Sequence, residues 1–483
     1  MSARKNTFFL ILKISIITIL CFICFLPLIA NSLHMINGCY NVYDFGIYQQ
    51  AIYELTRMES WNPYLTLRNI FVFHEHFDPV IYLAIPFALI SRFNPLALLV
   101  FEWLCFFGII LFTMIKLNKD KSIEEIIFAV FIICFSRSIL SALHYAIHPS
   151  TWAVAPLFFL IYFFYRNNLL GVVTLSIFLF FFKETFAFGI FLFSFYFLRK
   201  KTIKTFAILF ISSLFFILFE LKFRRIWLGN TYQYGNQFLG RFLDNPWHFF
   251  SVFHYKAFFK VFIPYAIPIF FLIKKELEIY KNFRSTKIFG VFLLLLPMMA
   301  IHFIIDRFSS HHASQFGIVL SAACIWGNTY SLLKKHKILF FITVVLFILT
   351  SSSIIKKMIR VIVTQKSQSC ILSTDKRHDI KIIKNYFNNQ DISNFSIWST
   401  GGIAVNILKP GMKIYHLHNH TPQPEYTHLL LEINQSGDTF PLNREEVNDL
   451  LKRCKLYSNN IILQNDRIYF AEGRYPYGCI KPL

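Results

Sequence analysis

Long apolar runs, separated by short polar links, fill the chain from Phe8 to Ile355. Runs of this kind predict helices that cross a bilayer, whose hydrocarbon core of about 30 Å takes roughly 20 helical residues. The pattern places spans at about 8–30, 95–115, 123–143, 150–165, 169–182, 186–198, 205–220, 256–273, 288–305, 313–333 and 338–355. The apolar piece 80–91 is too short to cross and is predicted to lie in the interface or to re-enter. Farther on the character changes, and residues 376–483 are polar and mixed. Strand-like runs occur at Ser396–Trp398, Lys413–His416, Leu429–Ile433 and Asn460–Phe470, the last interrupted by a hairpin-like turn at Asn465-Asp466. Asn443 followed by Glu446 predicts a capping box opening a helix to about Lys452. The expected fold is an all-α polytopic membrane domain over 1–355, with about 11 transmembrane helices and a first outer loop over 31–94. A small α/β soluble domain over 356–483 follows.

Composition agrees with this. Hydrophobic residues make up 55% of the 483 and charged residues only 15%, far from the balance of a soluble domain. The net charge of +22 invites a nucleic-acid reading, but Lys and Arg fall in the short links. Arg4/Lys5, Lys116–Lys121, Arg166, Arg199–Lys204, Lys274–Lys287 and Lys334–Lys337 all lie on one side if 80–91 does not cross. The positive-inside rule makes that side cytoplasmic. The N-terminus is then cytoplasmic, the C-terminal domain extracytoplasmic, and no nucleic-acid partner is expected. The first apolar run is too long for a signal peptide and reads as an uncleaved span. Five cysteines sit in apolar runs; of the others, a pair such as Cys454 with Cys479 suits a disulfide in an oxidising compartment.

This topology gathers the conspicuous ionisable residues at the outer face. The first loop carries Asp44 within Tyr43–Gln50, then His74-Glu75-His76-Phe77-Asp78-Pro79. His148-Pro149 opens a span, Lys183-Glu184 lies among Phe, Leu and Ile, and Arg307 and His312 occupy a later outer loop. Charges at membrane depth are unfavourable unless they face a cavity or one another. Lys183 and Glu184 therefore read as cavity groups or as an ion pair stiffening a turn. Asp44 reads as a general base or as the cap of a helix over 45–57. His76 and Asp78 suit hydrogen bonding to a ligand, and Arg307 with His312 suits an anion. His148 also suits a helix cap. The His-Glu-His run fits no standard zinc spacing, so no cofactor is expected, a divalent metal there being the alternative. His416, His418 and His420 alternate along a strand-like piece and are expected to share one face, with a surface or hinge role rather than a metal site. No Walker A, GxGxxG or GxSxG motif occurs, and Gly401-Gly402 alone makes no phosphate loop.

The run Tyr43-Asp44-Phe45-Gly46-Ile47-Tyr48-Gln49-Gln50-Ala51-Ile52 resembles the opening motif of a domain-of-unknown-function family of bacterial and archaeal polytopic proteins. His76-Phe77-Asp78-Pro79, His148-Pro149, Lys183-Glu184 and His312 follow in that family's order, and the resemblance covers roughly 35–480. That family is itself similar to the GT-C glycosyltransferases. The resemblance implies a membrane glycosyltransferase of the bacterial inner membrane. It would take sugar from a polyprenyl-phosphate donor to a glycan, lipid or protein acceptor outside the cytoplasm. Asp44 matches the first-loop catalytic acid, where many such enzymes carry a paired acidic motif and this chain a single Asp. Catalytic roles then fall to Asp44 and Glu184, and substrate binding to His76, Asp78, His148, Lys183, Arg307 and His312. A flippase for a lipid-linked glycan, which would need ionisable groups near mid-membrane where Glu102 and Glu220 lie in or near spans, or a non-catalytic assembly protein, are the alternatives.

Overall fold

The computed structural model describes residues 2–39, 45–75, 77–145, 147–199, 202–224, 255–305, 314–364, 373–388, 390–392, 394–416, 425–433 and 442–480. Helix α1 (Ser2–Ile36) leads to α2 (Ile47–Thr56), a two-stranded ribbon of β1 (Tyr64–Leu65) and β2 (Ile70–Phe71), and the short α3 (Val72–Glu75). A 3-10 helix (Pro79–Ala84) runs into α4 (Ile85–Ile90), so the piece predicted over 80–91 is one short helical segment. Then come α5 (Leu96–Leu117), α6 (Ile123–Cys134), α7 (Arg137–Tyr145), α8 (Pro149–Trp152), α9 (Val154–Tyr165), α10 (Leu169–Leu179), α11 (Glu184–Arg199) and α12 (Ile203–Leu218). After a π-helical turn (Phe219–Phe223) follow α13 (Tyr255–Tyr280), α14 (Lys287–Ile305), α15 (Ser314–Trp326), α16 (Thr329–Leu333) and α17 (Lys337–Thr364).

Among the described residues, four helical stretches are long and apolar enough to cross a membrane: Ser15–Ile36, Leu96–Leu117, Ile203–Phe223 and Lys337–Thr364. The bent pair α6–α7 makes a fifth. Three expected single spans are broken. The 123–143 stretch bends by 49° between α6 and α7. There the Tyr265 hydroxyl lies 2.9 Å from Ser136 Oγ and 2.8 Å from Ser321 Oγ, and Arg137 donates to the Thr350 carbonyl at 3.0 Å. A broken apolar helix survives where neighbouring polar groups satisfy its polar atoms in this way. The stretch expected at 313–333 breaks at Asn328, whose φ of +60° is left-handed. The stretch expected at 150–165 divides at Ala153. The last helix continues to Thr364, past the boundary read at 355.

The links around Lys116–Lys121, Arg166, Lys274–Lys287 and Lys334–Lys337 meet at one end of the bundle. Lys287 Nζ donates to the Tyr165 carbonyl at 2.6 Å, Lys275 Nζ to the Gly327 carbonyl at 3.1 Å, and the Ile288 amide to Glu276 at 2.9 Å. Leu117, Glu125, Asn328 and Tyr330 line a common crevice at that end. For these four links, the segregation of charge along the chain is also a spatial one.

The C-terminal domain contains α18 (Thr374–Asn388), β3 (Ser396–Ser399), α19 (Ile403–Ile407), β4 (Lys413–Tyr415), β5 (Glu425–Glu432), α20 (Arg444–Cys454), β6 (Ser458–Gln464), β7 (Ile468–Pro476) and α21 (Tyr477–Ile480). Its sheet has the order β4-β3-β5-β7-β6, with β4, β3 and β5 parallel and the β5–β7 and β7–β6 pairs antiparallel. Leu429, Leu430 and Leu431 are all buried, as a strand covered on both faces requires. The predicted capping box at Asn443 and Glu446 forms. The Asn465 side chain accepts from the Arg467 and Ile468 amides, closing the predicted hairpin turn. Cys454 and Cys479 form a disulfide across a Cα separation of 5.3 Å.

Candidate functional site

At the end opposite the basic links, the first loop descends onto the ends of α10 and α12. The Val80 amide donates to the Phe181 carbonyl at 3.2 Å, which sets Asp78-Pro79 beside Lys183-Glu184. Asp78, Lys183 and Glu184 are all buried. Among the described residues no hydrogen bond or ion pair engages the Lys183 ammonium, although its side chain is only 6% exposed. Lys183-Glu184 is therefore not the self-contained ion pair that would merely stiffen a turn.

The π-helical turn brings in two residues whose place in the site the sequence did not show. Arg224 Nε lies 3.1 Å from Glu220 Oε2, and both side chains are almost fully buried (3% and 5% exposed). The turn docks on the first loop through Phe219, whose ring centroid is 5.3 Å from that of Phe77, while Phe216 stacks on Phe180 at 5.2 Å. A π turn widens the helix, and such turns recur at functional sites. Burial, and after it the positive charge of Arg224, push the His74 imidazole below its ordinary pKa. Two cations and three carboxylates thus share one buried region under residues 74–81. In the sequence Glu220 stood out as an acidic residue at the end of an apolar run, whereas Arg224 was marked by nothing beyond its i, i+4 spacing from Glu220.

His148 serves a second network. Its Nδ1 accepts from the Ser150 amide at 3.1 Å, so it is the N-cap of α8, one of the two readings of that residue. A backbone N–H can only donate, so Nδ1 carries the lone pair and the ring proton resides on Nε2. That Nε2–H faces the Tyr48 hydroxyl at 3.3 Å. Glu102 accepts from the His148 amide and from Trp152 Nε1, both at 3.2 Å. Its carboxylate is engaged in holding a helix start. Because α2 packs on the 3-10 helix that follows Asp78, Tyr48 and Asp78 stand on neighbouring elements.

Asp44, His76, Arg307 and His312 lie outside the described residues, as do His418 and His420. Among the described residues no group of three or more His, Cys, Asp or Glu side chains is placed to hold a metal ion. No protein-family model, curated protein or solved structure matches the chain.

Proposed function

We propose that this protein is a membrane glycosyltransferase that moves a sugar from a polyprenyl-phosphate donor to an extracytoplasmic glycan, lipid or protein. The observation that carries the reading is the burial of Asp78, Lys183, Glu184, Glu220 and Arg224 together at the end of the bundle remote from the basic links. On this reading about eleven helical segments lie in a bacterial inner membrane, with the N-terminus cytoplasmic and the C-terminal domain outside. The Cys454–Cys479 disulfide of that domain suits such a compartment.

The lipid tail stays in the bilayer while the phosphate meets Lys183 and Arg224, joined by Arg307 and His312 from the later loop. The acceptor hydroxyl attacks the anomeric carbon. Asp44 takes the hydroxyl proton, the bond from sugar to phosphate oxygen breaks, and the phosphate departs with the electron pair. The cations stabilise the charge that develops on it. Glu184 and Asp78 hold sugar or acceptor hydroxyls. Lys183→Met is expected to lower kcat/KM for donor by about 10- to 100-fold, the worth of a hydrogen bond to a charged group. Transfer assays in proteoliposomes check this, and an unchanged rate would remove Lys183 from the site.

A further inference from the structure

In the C-terminal sheet, β3 leads through α19 to β4 on one side, and the chain then returns past β3 to β5 on the other. Open sheets of this kind take ligands in the crevice at the carboxyl ends of the strands, where the connections diverge. Here that place is Ser399-Thr400-Gly401-Gly402, directly before α19. The chain itself fills it. Glu432, at the end of β5, accepts from the Ile403 amide at 3.2 Å and pairs with Lys376 Nζ at 2.6 Å, both side chains being buried. Lys376 Nζ also donates to the Gly38 carbonyl at 3.4 Å.

Gly38 comes from the first outer loop. Its φ of +62° is left-handed, and a Cβ there would stand 3.1 Å from Ile380 Cδ1 and 3.2 Å from Ile403 Cγ1. The contacts extend to both sides of residues 40–44, the stretch that carries Asp44. On the α1 side Asn406 Nδ2 donates to the Met35 carbonyl, and Arg377 Nε to Asn37 Oδ1, each at 2.9 Å. On the α2 side Gln49 Nε2 donates to the Val405 carbonyl at 2.9 Å. Cys39, next to Gly38, is disulfide-bonded.

We propose that the occupant of this crevice is the chain's own Asn37-Gly38 turn, and that the C-terminal domain is a clasp fixing the end of α1 and the start of α2 over the site. Lys376, Glu432 and Asn406 are positioning residues; their effect on transfer rests on the transferase reading above, whereas the docking does not. In the full-length protein in nanodiscs, Lys376→Met strands the buried Glu432 charge. Gly38→Ala instead fills the crevice without touching charge. Each is expected to raise amide hydrogen exchange at Met35–Cys39 and Ile47–Gln50 about tenfold or more, with the rest of the bundle unaffected. The double variant Lys376→Met/Glu432→Gln removes the stranded charge yet keeps an acceptor for the Ile403 amide, and protection returns. Unchanged exchange in both single variants overturns the clasp. In the transfer assay the single variants lose kcat while KM for donor holds, and the double variant regains it. Raised exchange with undiminished transfer overturns the positioning role. If the wild-type protein transfers no sugar, the transferase reading fails and the exchange data alone decide on the clasp.

Discussion

Arg224→Met is expected to destabilise the folded protein by about 3–5 kcal/mol, the cost of leaving one buried charge without its partner. Arg224 and Glu220 are almost wholly removed from solvent and only 3.1 Å apart. Removing the guanidinium leaves the Glu220 carboxylate in the low-dielectric region beneath Phe77 and Phe219 without that counter-charge. The matched variant Glu220→Leu/Arg224→Met takes away both charges and recovers most of the loss, because an apolar pair of similar volume is often as stable as a buried ion pair. Thermal unfolding of the three proteins in one detergent measures this. Equal melting of the Arg224 single variant and wild type would place the pair in solvent. On the transferase reading the double variant stays folded but loses donor affinity, since one of the phosphate-binding cations is gone.

The second large effect is a pH dependence of the C-terminal domain. His428 is 1% exposed, with Nε2 at 3.1 Å from the Tyr386 hydroxyl and Nδ1 at 2.9 Å from Thr427 Oγ1. The rings of Phe387, Phe395 and Phe470 surround it. Burial pushes its pKa down to about 4, against a smaller upward pull from Glu472. The unfolded chain takes up the proton near pH 6.5, whereas the folded domain resists it until about pH 4. Stability is therefore fully present above pH 6.5 and falls as the pH drops toward 4, by about 3 kcal/mol in total. Hydrogen exchange of β5 and β7, corrected for the intrinsic effect of pH on exchange, follows the change. His428→Phe fills the space without a titrating group and is expected to flatten this part of the profile. An unaltered slope in that variant would assign the acid sensitivity to other groups.

The parts of the fold that rest on local pattern were legible in the sequence. Leu96–Leu117 and the stretch Ile203–Phe223 are long apolar runs and appear as such. The Asn443 capping box and the Asn465 turn depend on residues within a few positions of one another and also form as expected. The break between α6 and α7 was not legible. It depends on Tyr265, Ser321 and Thr350, all far along the chain from Ser136 and Arg137. The same distinction runs through the site. Asp78 and Lys183-Glu184 stood out as polar residues in apolar or motif-like surroundings, and the Val80–Phe181 contact unites them. Glu220 stood out as a lone acid at the end of an apolar run, but its pairing with Arg224 did not. The pair is buried where the π turn docks on Phe77, a contact distant in sequence. Gly401-Gly402 carried no ligand signature because its occupant, Gly38, comes from the opposite end of the chain.

The central claim is sugar transfer at the outer face, with Asp44 as the base. Its most direct test is transfer of radiolabelled sugar from a panel of polyprenyl-phosphate-sugar donors, by wild type and Asp44→Asn reconstituted in proteoliposomes. Transfer from at least one donor is expected of the wild type, and none of Asp44→Asn at equal folded protein. Full activity in the Asn variant, or movement of lipid-linked glycan across the bilayer with no transfer by the wild type, would contradict it.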